Sequence, residues 1–503
     1  MSSVAKVLSV APVGFEGQII EVESDVSKGL PGIQIVGLGN KTIDEAKERV
    51  KSAVNNSLLE YPAKKLTINL APAELPKDGT HYDLPIALAL LASSGQLRQQ
   101  ELEDAVFAGE LALDGRLRPI SGAITIVETA KASGVNTVYL PVSNTIQAKL
   151  VKDISIIGIT DLKSLFLHLK KERIIEPILN EVDNPETLVE YSDNLIDDIY
   201  GQEQAKRALE IAAAGHHNLL LTGPPGAGKT MLARTLTSLL PPLKSDEQLA
   251  ITKLYSLAGE TLDEAVTTRP FRSPHHTSSR VALIGGGTKS KPGEVSLAHL
   301  GVLFLDEIPE YPRAVLESLR QPLEDKKVSV TRASSRATYP ADFMLVATMN
   351  PCPCGFYGDP TKECSCTTMQ ILSYQKRLSG PLLDRIDMKV AVSRVPHNTL
   401  LKTNKLNNSQ HKIVVDKITS ARQIQFNRYN SSLKNNSNLS SNEIKKYISL
   451  SGPTLKILSL AAERLELSAR SYFKVIKVAQ TIADLDKSPS VEPRHISEAL
   501  QYR

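Results

Sequence analysis

A glycine-rich run, GPPGAGKT at residues 223–230, has the spacing of a phosphate-binding loop. Its glycines allow the backbone to wrap so that the N–H groups face phosphate oxygens. Lys229 then reaches the β and γ phosphates of ATP, and the Thr230 hydroxyl supplies a ligand for Mg²⁺. The run therefore predicts ATP and Mg²⁺ as cofactors. The residues expected to surround the phosphates are Gly223, Pro224, Pro225, Gly226, Ala227 and Gly228.

Two further apolar runs end in polar residues that suit ATP hydrolysis. VLFLDE ends in Asp306, which we expect to hold Mg²⁺ through water, and in Glu307, the candidate base for the attacking water. FMLVATMN ends in Asn350, whose amide is expected to position that water. An acidic pair at a strand end is often only solvated. Here it follows a phosphate loop by roughly 75 residues, which favours the catalytic interpretation.

Two arginines are candidates for stabilising charge in the transition state. Arg385 lies in SGPLLDRIDM, and Arg470 lies in LSARSYF at the start of a predicted helix. We expect one of them to reach the γ-phosphate in a neighbouring subunit and the other to reach the nucleotide of its own subunit.

All four cysteines lie in one short stretch, CPCGFYGDPTKECSC, which begins two residues after Asn350. Four thiols this close in a chain without a disulfide framework predict a tetrahedral zinc site. The spacing is tighter than the usual C-x-x-C arrangement, and four reduced thiols are the alternative. A zinc ion here would be structural, because no ligand position would remain open. The ligands would be Cys352, Cys354, Cys364 and Cys366.

Two basic segments are candidates for contact with DNA. Residues 268–287 form a loop interrupted by Pro and Gly, and residues 323–340 alternate as a β-hairpin does. Cationic side chains in such loops can follow a phosphate backbone, whereas solvated loop charges are the alternative. The candidate side chains are Arg269, Arg272, His275, His276, Arg280, Lys326, Lys327, Arg332 and Arg336.

The elements that position these residues divide the chain into parts. Strand and helix patterns predict an α/β protein: an α+β domain over residues 1–170, a charged linker over 171–190 and a parallel-sheet domain over 191–395. Residues 396–503 are predicted to be helical. Asn and Ser are so frequent between residues 404 and 442 that we expect long polar loops there.

Charge and hydropathy indicate whether the chain has a polyanionic partner or a membrane partner. The net charge is +4. From residue 401 onwards there are 17 Lys and Arg but only 8 Asp and Glu. This basic end is a candidate for binding a phosphate backbone, and a solvated basic surface is the alternative. A membrane-spanning helix needs an apolar run of about 18 residues, and no run in this sequence approaches that length. The N-terminus lacks the pattern of a signal peptide. We expect a cytoplasmic protein without a membrane partner.

The motifs together resemble a known family. Residues 191–503 are similar to the magnesium-chelatase-like branch of the AAA+ ATPases, and the whole chain resembles the ComM (YifB) family of bacterial competence proteins. The resemblance rests on strings that include PGIQIVGL, GPPGAGKTMLAR, RPFRSPHHT, PGEVSLAHLGVLFLDE, YPADFMLVATMNPCPCG, SGPLLDRID and SARSYFKVIKVAQTIADL.

The resemblance implies a homohexameric DNA helicase that drives branch migration during natural transformation, acting on single-stranded and branched DNA beside recombination proteins. It also implies that Arg385 is the finger acting on a neighbouring subunit and that Arg470 is the sensor on a helical lid. The alternatives are an ATPase that remodels a protein or a chelatase-type complex without unwinding DNA, and a scaffold that uses ATP only to hold a ring together.

The first domain resembles the Lon-protease-like (S5-like) fold. In KDGTHYDLP, His81 occupies the place where an active Lon protease carries its nucleophilic serine. Without that serine the serine–lysine dyad of a Lon protease is incomplete, so we expect an adaptor or assembly role instead of proteolysis.

Overall fold

The computed structural model describes residues 4–37, 41–75, 77–178, 195–287, 290–331, 336–360, 362–395, 409–431 and 434–503. Most of the predicted linker, including 179–190, lies outside these ranges, as do Arg332 and the side chain of Arg336. No helix within the described ranges combines the length and the apolar character needed to cross a membrane.

The first part of the chain forms a seven-stranded mixed sheet in the order β3-β4-β2-β1-β5-β8-β9. Helix α2 is apolar on every side because it is buried along most of its length. The strands are β1 Ala5–Val13, β2 Glu16–Ser27, β3 Gly32–Val36, β4 Lys65–Ala71, β5 Ala105–Phe107, β6 Glu110–Leu111, β7 Leu117–Arg118, β8 Thr137–Pro141 and β9 Ser155–Ile159. The helices are α1 Lys41–Asn56, α2 Asp83–Ser93, α3 Ala123–Ala132, α4 Thr145–Ala148 and α5 Leu162–Leu169.

The central part is built on a five-stranded sheet in the order β11-β14-β17-β10-β18, and its paired strands are all parallel. Strands β14 and β17 are buried along their whole length, as expected for a parallel sheet covered by helices. The strands are β10 Leu219–Thr222, β11 Phe271–Arg272, β12 Gly285–Gly286, β13 Lys291–Pro292, β14 Val302–Leu305, β15 Lys327–Thr331, β16 Arg336–Pro340, β17 Met344–Met349 and β18 Met388–Ala391.

The helices of this part are α6 Glu203–Gly215, α7 Lys229–Leu239, α8 Ser245–Ala258, α9 Arg280–Ile284, α10 Glu294–Leu297, α11 Arg313–Ser318, α12 Arg320–Asp325, α13 Thr368–Gln375 and α14 Gly380–Leu383. Strands β15 and β16 pair as an antiparallel hairpin, with Val328 opposite Tyr339. The hairpin predicted from alternation is therefore confirmed in its two strands.

The C-terminal part is helical, as predicted, but the expected long polar loops are wrong over residues 409–429, which form one continuous helix. Val414, Ile418 and Ala421 place an apolar face on α6, and Arg422 donates hydrogen bonds to the Ala213 carbonyl at the end of α6. A cation there also suits the helix dipole. The helices are α15 Ser409–Tyr429, α16 Ser441–Tyr447, α17 Gly452–Arg464, α18 Ala469–Leu485 and α19 Pro493–Ala499.

Candidate active site

The phosphate loop connects β10 to the start of α7, as its sequence predicts. Gly226 and Gly228 have φ values of 76° and 85°, in the left-handed region that favours glycine. A Cβ atom on Gly223 would come within 2.1 Å of the Val392 carbonyl oxygen. The loop therefore needs glycine both for its curvature and for its close approach to the end of β18.

The amino group of Lys229 is held within the loop. Its Nζ donates to the carbonyl oxygens of Gly223 at 2.6 Å and Pro224 at 3.0 Å, and to Asn350 Oδ1 at 3.0 Å. Burial lowers the pKa of Lys229, and the carboxylates of Asp306 and Glu307 oppose that shift. These contacts are ones that phosphate oxygens would replace, so the lysine is already at the position where the motif requires it.

Asp306 is fixed by two hydroxyl groups. Thr230 Oγ1 donates to Asp306 Oδ2 at 3.4 Å, and Thr348 Oγ1 donates to Asp306 Oδ1 at 2.5 Å. A carboxylate beside the hydroxyl of a phosphate loop is the oxygen donor set that Mg²⁺ prefers, so these residues fit the ion. Sequence reasoning missed Thr348, although a single polar residue in the buried strand β17 was a signal that could have identified it.

At Glu307, two residues after the end of β14, the backbone turns sharply. Its φ and ψ are 48° and 54°, a left-handed conformation that is uncommon for a residue with a side chain. The Glu307 N–H donates to Thr348 Oγ1 at 2.9 Å, and Asn350 Nδ2 donates to Glu307 Oε1 at 3.4 Å. The sharp turn thus directs the carboxylate toward Asn350, and both lie beside the phosphate loop.

Arg385 and Arg470 meet at a shared carboxylate. Arg385 forms an ion pair with Glu324 and donates to the carbonyl oxygens of Arg320 at 3.1 Å and Pro381 at 2.7 Å. Arg470 NH2 lies 3.8 Å from the other oxygen of Glu324. The structure therefore groups the two arginines with each other.

This pair lies at the sheet edge opposite the phosphate loop. Asn218, the residue before β10, donates its side-chain amide to the Arg385 carbonyl at 2.9 Å, whereas the phosphate loop follows β10. A strand of four residues spans about 13 Å. Within the described residues, neither arginine has a contact with the phosphate loop of its own chain, contrary to the expectation that one of the two reaches the nucleotide of its own subunit. Lys474 instead holds the start of α18 beside Ile386.

The four cysteine sulfurs lie close together. Cys352 Sγ is 3.3 Å from Cys354 Sγ and 3.6 Å from Cys364 Sγ, and all four Sγ atoms lie within 4.8 Å of one another. A tetrahedral zinc ion with Zn–S bonds of about 2.3 Å would separate its sulfurs by about 3.8 Å. The donor set and its spacing therefore fit Zn²⁺.

The cysteine loop also packs on the phosphate loop. A Cβ atom on Gly355, which has a φ of 85°, would lie 2.5 Å from Cδ of Pro225. The four-thiol cluster thus stands behind the phosphate loop, and it begins two residues after Asn350. A change in the conformation of the cysteine loop would therefore be felt at Pro225 of the phosphate loop.

Three of the predicted DNA-binding cations are engaged within the protein. Arg269 donates to the carbonyl of Leu300 at 2.8 Å and pairs with Glu247 at 3.0 Å. Arg272 binds Glu294 and Glu260, and Lys326 pairs with Asp342. The prediction that these three side chains are available to DNA is corrected, because each is held by a carboxylate and only partly exposed.

Other members of the predicted set are accessible. His275, His276, Arg280 and Lys327 are exposed, and the two histidine rings lie tilted by 35° to each other with centroids 4.1 Å apart. The segment that carries His275 and His276 is connected to the one that follows Glu307, because the hydroxyl of Tyr311 donates to the Pro274 carbonyl at 2.6 Å. Tyr311 follows Glu307 by four residues and was not identified from sequence.

Comparison with known families covers most of the chain. Residues 195–400 match the family described as magnesium chelatase, subunit ChlI, and residues 408–503 match its C-terminal domain. Residues 22–144 match a further domain described as subunit ChlI of Mg-chelatase.

Three relatives illustrate the range of similarity. YifB of Escherichia coli is 43% identical over 98% of this chain and 96% of its own length, and competence protein ComM of Haemophilus influenzae is 42% identical over 100% and 97%. Lon protease 2 of Bacillus subtilis is 32% identical over 27% of this chain and 26% of its own.

Proposed function

Because the chain belongs to the magnesium-chelatase-like AAA+ family that includes YifB and ComM, we propose that it is an ATP hydrolase that drives a change in DNA. The observation that carries the proposal is the convergence of Lys229, Thr230, Asp306, Glu307 and Asn350 at one edge of the parallel sheet. This is the edge where ligands of open α/β sheets bind.

Each residue has a distinct task in ATP hydrolysis. Lys229 exchanges its carbonyl contacts for phosphate oxygens, while Thr230 and Asp306 hold Mg²⁺, which neutralises phosphate charge when bound. Glu307 polarises the attacking water and takes its proton, and Asn350, already within hydrogen-bond reach of Glu307 and Lys229, orients that water against the γ-phosphate.

The site is completed by a neighbouring subunit. Arg385 and Arg470 lie at the opposite edge of the sheet, so we infer that both act on the nucleotide of the next subunit in a homohexameric ring. Glu324 neutralises the two guanidinium groups until the γ-phosphate replaces it as their partner. Charge stabilisation of this kind contributes only when the ring is assembled.

The polymer on which the ring acts is proposed to be DNA. His275, His276 and Arg280 are exposed in a segment tied to Tyr311, close after Glu307, and Lys327 is exposed on β15, which suits cationic tracking of a phosphate backbone. The relative ComM is named a competence protein. We infer a role in transformation, with branch migration of single-stranded and branched DNA intermediates as the reaction, and recombination proteins as partners.

We further propose that the four cysteines hold a structural Zn²⁺ behind Asn350, and that the chain is organised as residues 1–170, a linker over 171–190, an ATPase core over 191–395 and a helical lid over 396–503. The support for zinc is the approach of four thiols to tetrahedral spacing.

The deciding experiment measures ATP turnover and strand displacement on forked and three-stranded DNA. We expect Glu307→Gln to retain ATP binding but to lose about 100-fold or more of turnover and all unwinding. Glu310→Gln is the matched control, because Glu310 is a nearby exposed acid paired with Arg377 at 2.8 Å. Turnover by the wild-type protein that ignores every DNA substrate, without unwinding, would favour an ATPase that remodels a protein complex.

A further inference from the structure

The first domain touches the β15–β16 hairpin through the turn between β1 and β2. Gly14 lies at this turn with a φ of 64°, and a Cβ atom on it would stand 2.9 Å from the Cβ of Ala337 and 3.3 Å from the Thr338 nitrogen. The two backbones are therefore packed as closely as glycine allows. The hairpin is one of the two segments proposed to meet DNA.

The neighbouring residue of the turn fills an apolar cluster at the base of the hairpin. Phe15 packs with Leu254 of α8 and with Ala337 and Tyr339 of β16. Lys253 Nζ lies 4.2 Å from the centroid of the Phe15 ring. The cluster thus combines residues of the first domain, helix α8 and the hairpin.

Polar contacts of the first domain with α8 and with the segment after it fix the same arrangement. Lys253 Nζ is 2.5 Å from Glu128 Oε2, and the N–H of Gly122 donates to Ser256 Oγ at 3.0 Å. Asn144, which is fully buried, donates to the Leu262 carbonyl at 2.8 Å. Buried polar groups hydrogen-bonded across a contact hold it in one geometry, because separating them exposes unpaired donors.

We propose that the first domain is a brace for the hairpin, which holds β15 and β16 in the position from which they engage DNA. The proposal rests on the proposed function and gives the domain a positioning role. The contact acts directly through Gly14 and Phe15, and indirectly through α8, whose Leu254 packs in the same apolar cluster as Ala337 and Tyr339 of β16.

The test compares two glycine substitutions in the same domain. Gly14→Ala introduces a methyl group into the hairpin, whereas Gly95→Ala adds one at a similar φ of 84° where nothing lies within 4 Å of the new atom. Both glycines have a positive φ, so the backbone strain is similar, and the main difference is the contact of the new methyl group with Ala337 and Thr338. Ala337→Gly removes the nearest opposing atom and should rescue Gly14→Ala in part in the double variant, because the Ala337 Cα and the Thr338 nitrogen remain at 3.1 and 3.3 Å.

Two readouts separate the brace from the function of the ring. Hydrogen exchange of backbone amides in 327–331 and 336–339 reports, without DNA, how firmly the hairpin is held. ATP turnover with and without DNA reports its engagement. We expect Gly14→Ala to raise exchange of the hairpin amides and to reduce DNA-stimulated turnover, each several-fold, with DNA-free turnover unchanged. Gly95→Ala should match the wild type.

Equal hairpin exchange and equal DNA stimulation in the two glycine variants would overturn the brace. If the wild-type protein ignores DNA altogether, the proposed function fails, while the exchange measurement still decides the brace. Should Gly14→Ala not fold, Phe15→Leu weakens the apolar cluster without backbone strain, and the same two readouts apply.

Discussion

At the scale of single residues, Thr348 connects Asp306 and Glu307, the two acids beside the phosphate loop. Replacing Thr348 by Val keeps the shape but removes the hydroxyl that donates to Asp306 and accepts from the Glu307 N–H. We expect ATP turnover to fall about 10- to 100-fold with little loss of ATP binding, since a lost buried hydrogen bond costs about 1–3 kcal/mol.

Steady-state kinetics of Thr348→Val beside Thr235→Val provides the check. Thr235 is equally buried, but its hydroxyl has no hydrogen-bond partner within the described structure, so its loss should change turnover little. Similar losses in both variants would assign the effect to packing in the core.

His81 makes stability depend on pH. Burial lowers its pKa from near 6.5 to about 4, although the Val10 carbonyl at 3.0 Å favours the proton. The unfolded chain therefore binds this proton more tightly than the folded chain does. The contribution of neutral His81 to the free energy of unfolding is fully present above about pH 6.5 and is lost as the pH falls toward 4. The pKa difference corresponds to about 3 kcal/mol at most.

Denaturation curves at about pH 7.5 and pH 5 measure this effect. His81→Gln retains a donor for Val10 without an imidazole, so its loss of stability between the two pH values should be smaller than that of the wild type. His299, whose pKa is also lowered to about 4, remains in both proteins and cancels in the comparison. An identical loss in both would contradict the assignment to His81.

The proximity of Lys229, Asp306 and Asn350 in the candidate site was predictable from sequence, because the phosphate loop and the two strand ends are local patterns that meet at one edge of a parallel sheet. The partners of long polar side chains were not. Nothing near Arg269 in the chain indicates that Leu300 and Glu247 hold it, since those contacts exist only after folding. A count of cations in a loop therefore overestimates the charge available to DNA.

At the scale of elements, the contact between the cysteine loop and the phosphate loop predicts a measurable coupling. Gly355→Ala would push a methyl group against Pro225, whereas Gly358→Ala adds one at a φ of 77° with nothing within 4 Å. We expect the first variant to weaken ATP binding several-fold and the second to leave it near the wild-type value. Titration with a fluorescent ATP analogue measures the affinity of each variant. Equal affinities would show that the contact between the two loops does not affect ATP binding.

The same loop predicts a metal stoichiometry. Elemental analysis of the purified protein should find about one zinc per chain, and Cys354→Ser should lower it because three thiolates bind the ion less firmly than four. Protein without zinc but with four titratable thiols would instead support reduced, unliganded cysteines.

Helix α15 illustrates what composition misses at this scale. Asn and Ser are frequent around it, and each disfavours a helix interior slightly, so the sequence favoured loops. The apolar face formed by Val414, Ile418 and Ala421 packs on α6 and overrides those small preferences. Tertiary packing provides most of the stability of such a helix.

At the scale of the whole molecule, the organisation into a mixed-sheet domain, a parallel-sheet core and a helical end followed from the spacing of strands and helices. The way these parts meet did not. Asn144, Gln147 and Ser256 are buried at the contact between the first domain and the core, yet each is an ordinary polar residue in the sequence. Interfaces of this kind carry no periodic pattern.

The separation of Lys229 from Arg385 across one sheet has a consequence for inheritance. In the homohexameric ring proposed above, a subunit that lacks Arg385 would impair the site of its neighbour, and one that lacks both residues would impair two sites. A cell that makes normal and doubly defective chains should therefore show a dominant defect. Titrating Lys229→Ala/Arg385→Ala chains into wild-type rings should remove activity about twice as steeply as either single variant does.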